Sequence, residues 1–126
     1  MIYKQLTLNK LIKMKKVVFG ILLLVVTFST QAQEKKNKNA KFVIEVNGNC
    51  EQCQNRIQKA AFGVSGVKSA VWSVETHQLS LILNEEKATL IDVKKAVAKA
   101  GHDVGEMKAS EASYDKLPGC CQYDRK

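Results

Sequence analysis

Cysteine is the residue type with the clearest chemistry in this sequence. Cys50 and Cys53 form a C-x-x-C motif, and Cys120 and Cys121 stand side by side close to the C-terminus. Thiolates bind soft metal ions, attack disulfides or become oxidised to disulfides. A lone C-x-x-C is shared by zinc sites, redox enzymes and structural disulfides, so the elements around it must decide between these functions.

The motif lies where a predicted strand meets a predicted helix. In the segment 41–47, apolar residues alternate on one face while Val43 faces the other way, which predicts a first strand. The alternating residues are Phe42, Ile44 and Val46. A helix over 51–62 follows, with Asn49 as its expected N-cap and Gln52 as the capping-box partner. Unpaired N–H groups at a helix start lower the pKa of nearby thiols.

Further patterns complete a small α+β domain. Apolar and β-branched residues predict a hairpin of strands at 67–75 and 79–84. A second helix is expected from Thr89 to Gly101, and a short final strand at 104–109. The order β-α-β-β-α-β predicts a ferredoxin-like sandwich, which is an antiparallel sheet with both helices on one face.

The N-terminus carries the pattern of an export signal. A lysine pair precedes an apolar run at 17–28, and small or polar residues follow up to Ala32. We therefore expect a signal peptide that starts at Met1 or Met14, with the mature chain beginning near Gln33. The apolar run is shorter than the roughly 20 residues that a membrane span needs. The sequence thus predicts an exported protein, periplasmic or secreted.

The chain divides into four parts of different composition. Its net charge is +8, but the first 32 residues hold five lysines and no acidic residue, so the remainder is only weakly basic. Because the remainder also lacks an aromatic-plus-basic stripe, nucleic-acid binding is disfavoured. The predicted parts are a signal peptide at 1–32, a flexible lead-in at 33–40, a domain at 41–109 and a tail at 110–126.

Several functions compete for the C-x-x-C. A structural zinc site needs four ligands, which Cys120 and Cys121 could complete only if the tail folds back. A thioredoxin-like redox site usually has a cis-proline beside it, and the sole proline is Pro118, in the tail. A structural disulfide across so short a loop removes little entropy from the unfolded chain. A partly open two-thiolate site for a soft ion remains, which suits Cu(I) best and admits Zn(II) or Hg(II).

The segment VNGNCEQCQNRIQKAAFGVSGVKSAVW, residues 46–72, resembles the heavy-metal-associated domain of copper chaperones, copper-transporting ATPases and periplasmic mercury-binding proteins. That family has Ile or Val four residues after the second cysteine, here Ile57, and Gly-Val sixteen residues after the first, here Gly66-Val67. The resemblance extends over 41–109. It implies that the two cysteines hold Cu(I) and pass it by thiolate exchange, without enzymatic turnover, to a metal-transporting ATPase, an efflux component or another acceptor protein.

Two positions depart from the pattern of that family. Gly48 stands where the family usually has a methionine under the metal loop, which predicts a looser loop. Gly101-His102 stands in the loop that faces the metal, where many members have Gly-Tyr. His102 is therefore a candidate third ligand or proton-linked gate, or only a favourable charge at a helix end. We expect His77 on the surface and Trp72 in the core.

The tail carries two adjacent thiols beyond the domain. Cys120 and Cys121 cannot easily bridge each other without strain. They are candidates for disulfides to Cys50 and Cys53, for bonds between chains, or for auxiliary metal ligands. We expect the tail to return over the metal loop on three apolar anchors, namely Tyr114, Leu117 and Tyr123.

The sequence therefore favours a soft-metal carrier over two alternatives. One alternative is a periplasmic scavenger of Hg(II) or another heavy metal, and the other, from a different class, is a thiol-disulfide oxidoreductase. The expected protein is a monomer or a metal-bridged dimer, with no membrane span once the signal peptide is removed.

Overall fold

The computed structural model describes residues 2–27 and 34–125. These residues form two separate units, which divide after Lys35. The first unit contains helix α1 at Ile2–Thr27, and its side chains from residue 3 to residue 21 are exposed. No helix within the described ranges has an apolar stretch long enough to cross a lipid bilayer.

The expected end of the signal peptide falls outside this description. Ala32 and the mature start at Gln33 both lie beyond the described residues. The signal peptide and the export that follows from it therefore stay predictions.

The second unit is built on an antiparallel sheet, with three strands in the described residues in the order β1-β3-β2. The strands are β1 at Ala40–Glu45, β2 at Val67–Trp72 and β3 at Gln78–Leu83. Leu81 pairs with Phe42 on one side and with Ala70 on the other, so the apolar faces of the three strands line up. Val43 and Val71 point to the opposite face and are exposed. The predicted alternation in β1 is confirmed.

Two helices supply the other half of the core. They are α2 at Glu51–Phe62 and α3 at Leu90–Lys99. Their buried residues pack with the sheet into one cluster, which includes Cys53, Ile57, Ala61, Val93 and Val97. Thr89 opens α3 with a complete capping box, and Gly101 follows its end with a φ of +107°, a conformation that glycine adopts readily. This arrangement confirms the ferredoxin-like prediction.

The predicted final strand at 104–109 is wrong. Among the described residues, Val104 makes only isolated bridges, to Val46 and to Met107. The chain turns back at once, because the N–H groups of Val104 and Met107 donate to each other's carbonyl oxygens at 2.8 and 2.9 Å. Gly105 takes a φ of +55° inside this turn. The sheet therefore gains only a one-residue bridge, and the following residues lead into the tail.

The segment before β1 contacts the domain as well. The N–H of Asn37 donates to the Glu85 carboxylate at 2.8 Å, and the N–H of Glu85 donates back to the Asn37 carbonyl at 3.0 Å. Ala40, the last residue of the expected lead-in, is buried as the first residue of β1. The sheet thus begins one residue earlier than predicted.

Candidate metal centre

Cys50 and Cys53 lie at the start of α2, where the strand-to-helix loop ends. The predicted cap is wrong, because the N-cap is Cys50, not Asn49, and it makes no side-chain capping bond. The N–H of Asn49 instead donates to Cys53 Sγ at 3.3 Å. Cys53 is buried, Cys50 is half-buried, and their two sulfurs are 3.5 Å apart. The loop before α2 therefore directs an N–H group at the Cys53 sulfur.

Backbone N–H groups in the first turn of α2 change the acidity of Cys50. The backbone N–H of Cys53 is the largest cause that lowers the pKa of Cys50, to about 7, against the opposing effect of burial. The Cys53 side chain and the backbone of Gln52 act in the same direction. Because the thiolate is the form that binds metals and attacks disulfides, Cys50 is prepared for either chemistry near neutral pH.

Trp72 supports the loop from below. A side chain at Gly48 would place its Cβ 3.0 Å from the Trp72 ring and 3.0 Å from Cys53 Cβ, so the indole occupies the space under the loop. The indole N–H donates to the carbonyl of Val46 at 3.0 Å, and the ring is fully buried, as predicted. Because position 48 has glycine and not methionine, we expected little apolar support under the loop. Trp72 supplies that support. The sequence places Trp72 in the core but carries no local signal that its ring lies under residue 48.

His77 lies on the other side of that indole. Its ring stacks on Trp72, with centroids 5.8 Å apart, and it is half-buried. Its carbonyl accepts the N–H of Val46 at 2.8 Å, and its backbone has a φ of +56°. The prediction that His77 is plain surface is therefore wrong, because the hairpin turn folds against the metal loop.

The tail brings a third sulfur to the pair. Cys121 is buried, and its Sγ lies 3.9 Å from Cys50 Sγ. The sulfurs of Cys50, Cys53 and Cys121 all lie within 4.8 Å of one another, a grouping that could hold a metal ion. Burial is the largest cause that raises the pKa of the Cys121 thiol above its ordinary value. All four cysteines are free thiols in this structure, so none of the candidate disulfides is formed in it.

Cys120 and His102 do not join this group. Cys120 is exposed, and its thiol contacts the Gln52 side-chain oxygen at 3.1 Å. His102 is fully buried, with Nδ1 2.8 Å from the Asn47 carbonyl and with Nε2 unpartnered among the described residues. Burial lowers the pKa of His102, so the ring is neutral at physiological pH and supplies no charge to the end of α3.

The tail is held by the residues that follow α3. Helix α4 at Glu111–Asp115 and a 3₁₀ turn at Gly119–Cys121 form its two ordered segments. Leu117 and Tyr123 are buried and Tyr114 is half-buried, so the expected return of the tail on these anchors is observed. A Cβ at Gly101 would lie 2.9 Å from the Leu117 side chain, which shows how closely the tail approaches.

Tyr123 and Arg125 fasten the end of the tail. The Tyr123 hydroxyl donates to the Gly101 carbonyl at 2.9 Å and accepts the Asp103 N–H at 2.7 Å, while its ring stacks on His102. Arg125 donates to both carboxylate oxygens of Asp103, at 2.8 and 3.2 Å, and Asp103 is buried. No local pattern in the sequence links a buried aspartate to an arginine near the C-terminus, so this pair could not be predicted.

Comparison with known proteins places this geometry in a family. Residues 43–103 match the family model described as "Heavy-metal-associated domain". The copper chaperone CopZ of Staphylococcus epidermidis is 32% identical over 63 residues, which cover 49% of this chain and 93% of that protein. CopZ of Staphylococcus haemolyticus is 30% identical over the same shares of the two chains.

Solved structures agree with these matches. The N-terminal domain of a potential copper-translocating P-type ATPase from Bacillus subtilis, solved in its Cu(I)-loaded state, is 28% identical with a TM-score of 0.51. The match covers 53% of this chain and 85% of that domain. The tail that carries Cys121 lies beyond residues 43–103. With the fold, the C-x-x-C at the start of α2 and these relatives together, the chain belongs to the heavy-metal-associated domain family.

Proposed function

We propose that this protein is a carrier that binds Cu(I) through the thiolates of Cys50 and Cys53 and passes it on by thiolate exchange. The observation that carries the proposal is the sulfur pair at the uncapped start of α2, 3.5 Å apart, in which the pKa of Cys50 is lowered to about 7. Soft thiolate ligands select Cu(I) over hard cations. An ion can reach the sulfur pair from solvent, because Cys50 is only half-buried.

Transfer to another protein follows from how the pair is placed. Cys53 is anchored in the core, whereas Cys50 stands at the edge, so an incoming thiolate can attack the ion from the side of Cys50. The relatives named above are copper chaperones and a domain of a potential copper-translocating ATPase. We infer that the acceptor is a metal-transporting ATPase, an efflux component or a similar thiolate-bearing protein, and that the carrier itself turns over no substrate.

Export completes the proposal. The lysine pair, apolar run and small residues up to Ala32 support a signal peptide, and so a carrier that acts in the periplasm or outside the cell. Amino-terminal sequencing of the protein recovered from that compartment tests this step. Recovery of a chain that begins at Met1 or Met14 would contradict it.

The metal assignment is tested by anaerobic titration of the fully reduced protein with Cu(I). We expect one ion per chain in the wild type and the loss of this binding in Cys50→Ser and in Cys53→Ser. Cys120→Ser is the matched control, because that thiol is exposed and outside the sulfur group. Uptake that persists without Cys50 and Cys53 would contradict the proposal. Parallel titrations with Hg(II) and Zn(II) separate a copper carrier from a mercury scavenger, which would prefer Hg(II) under the same conditions.

The low pKa of Cys50 also favours a second candidate, a thiol-disulfide oxidoreductase. Reduction of insulin disulfides by the metal-free protein distinguishes the two functions. For a carrier we expect no more reduction than by an equal concentration of free cysteine. Reduction that survives metal removal and disappears in Cys50→Ser would instead establish the oxidoreductase.

A further inference from the structure

We propose that Cys121 supplies a third thiolate to the ion held by Cys50 and Cys53, and that the tail must lift before the ion can leave. We call residues 110–125 the tail strap. The inference rests on the proposed function, because it describes how the same ion is coordinated and released. It concerns a part of the chain that lies beyond the matched residues 43–103.

The spacing of the sulfurs fits three-coordinate geometry. With metal–thiolate bonds of about 2.3 Å, the sulfurs of a trigonal site lie about 4.0 Å apart, whereas those of a linear two-sulfur site lie about 4.6 Å apart. Cys50 Sγ is 3.5 Å from Cys53 Sγ and 3.9 Å from Cys121 Sγ, and all three sulfurs fall within 4.8 Å. The group is therefore closer to a trigonal site than to a linear one.

The structure also selects Cys121 over its neighbour. Cys121 is fully buried and faces the pair, whereas Cys120 is exposed and contacts Gln52. The 3₁₀ turn produces this difference, since consecutive side chains on it point in different directions. His102 is not within the sulfur group, so the third ligand is sulfur and not nitrogen.

The tail strap is fixed on both sides of Cys121 before any ion arrives. On one side, Leu117 is buried against Gly101, and on the other, Tyr123 is hydrogen-bonded to Gly101 and Asp103. Arg125 then ties the end of the strap to the buried Asp103 carboxylate. A ligand held in position in this way loses little conformational entropy when it binds the ion.

The proton and ligand balance of the two steps is simple. On binding, the Cys121 thiol loses its proton to solvent as its sulfur bonds to the ion, as metal binding to thiols requires. On transfer, an acceptor thiolate bonds to the ion as the bond to Cys121 breaks, and the Cys121 sulfur takes up a proton. A second acceptor thiolate then replaces Cys50 and Cys53, whose sulfurs take up protons in turn, so that the ion leaves bound to the acceptor. Because the closed strap holds Cys121 beside Cys50, lifting the strap vacates the position that the acceptor needs.

X-ray absorption of the Cu(I)-loaded protein tests the third ligand. We expect three sulfur ligands in the wild type and in Cys120→Ser, and two in Cys121→Ser. We also expect Cys121→Ser to lose at least about tenfold in Cu(I) affinity, because even loss of an outer partner of a metal ligand costs about 10- to 100-fold. An unchanged sulfur number in Cys121→Ser would overturn the proposal, as would a drop in Cys120→Ser alone.

The strap is tested separately, without removing any sulfur, by Arg125→Met. This variant keeps an unbranched apolar stem but loses the guanidinium and with it the hydrogen bonds to Asp103 and to the Ala109 carbonyl. We expect Cu(I) to pass to the chelator bathocuproine disulfonate at least about tenfold faster than from the wild type. Lys116→Met is the matched control, since it removes the same charge from an exposed position on the strap, and its rate should be unchanged. Equal rates for Arg125→Met and the wild type would overturn the lifting step.

Different results would contradict the proposed function and the third thiolate ligand. If Cys50→Ser and Cys53→Ser still take up Cu(I), the proposed function fails and the inference fails with it. If those variants lose the ion while Cys121→Ser keeps the wild-type sulfur number, only the inference fails. Far-ultraviolet circular dichroism of each variant shows that the domain is folded, so that a lost sulfur is not a lost fold.

Discussion

The C-x-x-C loop and the tail strap bring cysteines to one place by opposite routes. Cys50 is placed by the strand and helix on either side of it, and backbone N–H groups lower its pKa to about 7. Cys121 is placed by contacts with residues far away in the sequence, and burial raises its pKa. Backbone geometry at the start of α2 therefore sets the reactivity of the site, whereas long-range packing of the tail strap controls access to it.

The largest expected effect is a difference in alkylation rate between the two thiols. At pH 7 about half of Cys50 is thiolate, whereas the pKa of Cys121 lies above its ordinary 9.0, so less than about one per cent of it is. We expect iodoacetamide to modify Cys50 at least about fiftyfold faster than Cys121 in the metal-free, reduced protein. Peptide mass spectrometry over a time course measures both rates. The alkylation rate of Cys50 should rise with pH through a midpoint near 7. Equal alkylation rates for Cys50 and Cys121 would contradict the difference in pKa between the two thiols.

The largest expected loss of stability follows removal of the support beneath the loop. Replacement of the fully buried Trp72 by Ala should lower the free energy of unfolding by about 3–5 kcal/mol, the usual cost of truncating a large core aromatic. Urea unfolding followed by circular dichroism measures this. Val71→Ala is the matched control on the same strand. Because Val71 is 58% exposed, its effect should stay within about 0.5 kcal/mol. Similar losses in both variants would mean that the loop does not rest on Trp72.

Local patterns were sufficient to predict the loop side of the molecule. The alternation around Phe42, the span of α2 and the start of α3 depend on interactions between near neighbours, and each is found where it was expected. The C-x-x-C at the junction follows directly from these elements. The family's motif added the expectation of a metal site, which the sulfur spacing fits.

Two of the errors beside the site have identifiable physical causes in the backbone. Asn49 has the right side chain for an N-cap, but Cys50 occupies the cap position, and the N–H of Asn49 points at the Cys53 sulfur. Val104 has a strand-forming side chain, but Gly105 allows the chain to turn back before a second pair can form. Departures from local rules at functional sites are expected, because local preference is outweighed there by other requirements.

The tail strap could be predicted only in part. Its three apolar anchors were visible because aromatic and leucine side chains must be buried somewhere. The sequence did not reveal which cysteine would face the pair. Cys120 and Cys121 are the same residue type, and only their positions on the 3₁₀ turn distinguish them. The Arg125–Asp103 pair depends on long-range packing, which no local pattern encodes.

A smaller effect is expected when the strap is unfastened. Arg125→Met leaves the buried Asp103 without its bidentate partner, which should weaken strap docking by about 1.5–3 kcal/mol, the usual range for hydrogen bonds to charged groups. Hydrogen exchange measures the result. We expect faster exchange in residues 110–125 and unchanged exchange in β3, because a strap can open without global unfolding. Equal acceleration in β3 would show that the strap and the domain unfold together, and Lys116→Met should change neither.

The smallest effect sharpens the same comparison by pH. Burial alone would raise the pKa of Asp103, but the Arg125 hydrogen bonds and the Ala109 N–H outweigh it and hold that pKa below its ordinary 3.8. The unfolded chain therefore binds more protons in acid, so Asp103 stabilises docking above pH 3.8 and this contribution is lost as pH falls through the lowered pKa. Amide NMR signals of Leu117 and Tyr123, followed into acid, should shift below pH 3.8 in the wild type.

In Arg125→Met the pKa of Asp103 loses its strongest lowering contact, so the same transition should begin at higher pH. Glu111 and Lys108 also face this pair and are shared by both proteins, so they do not account for a difference between them. Coincident acid transitions in the two proteins would show that the strap is held by Leu117 and Tyr123 alone. Lifting would then depend on apolar contacts and not on the Arg125–Asp103 pair.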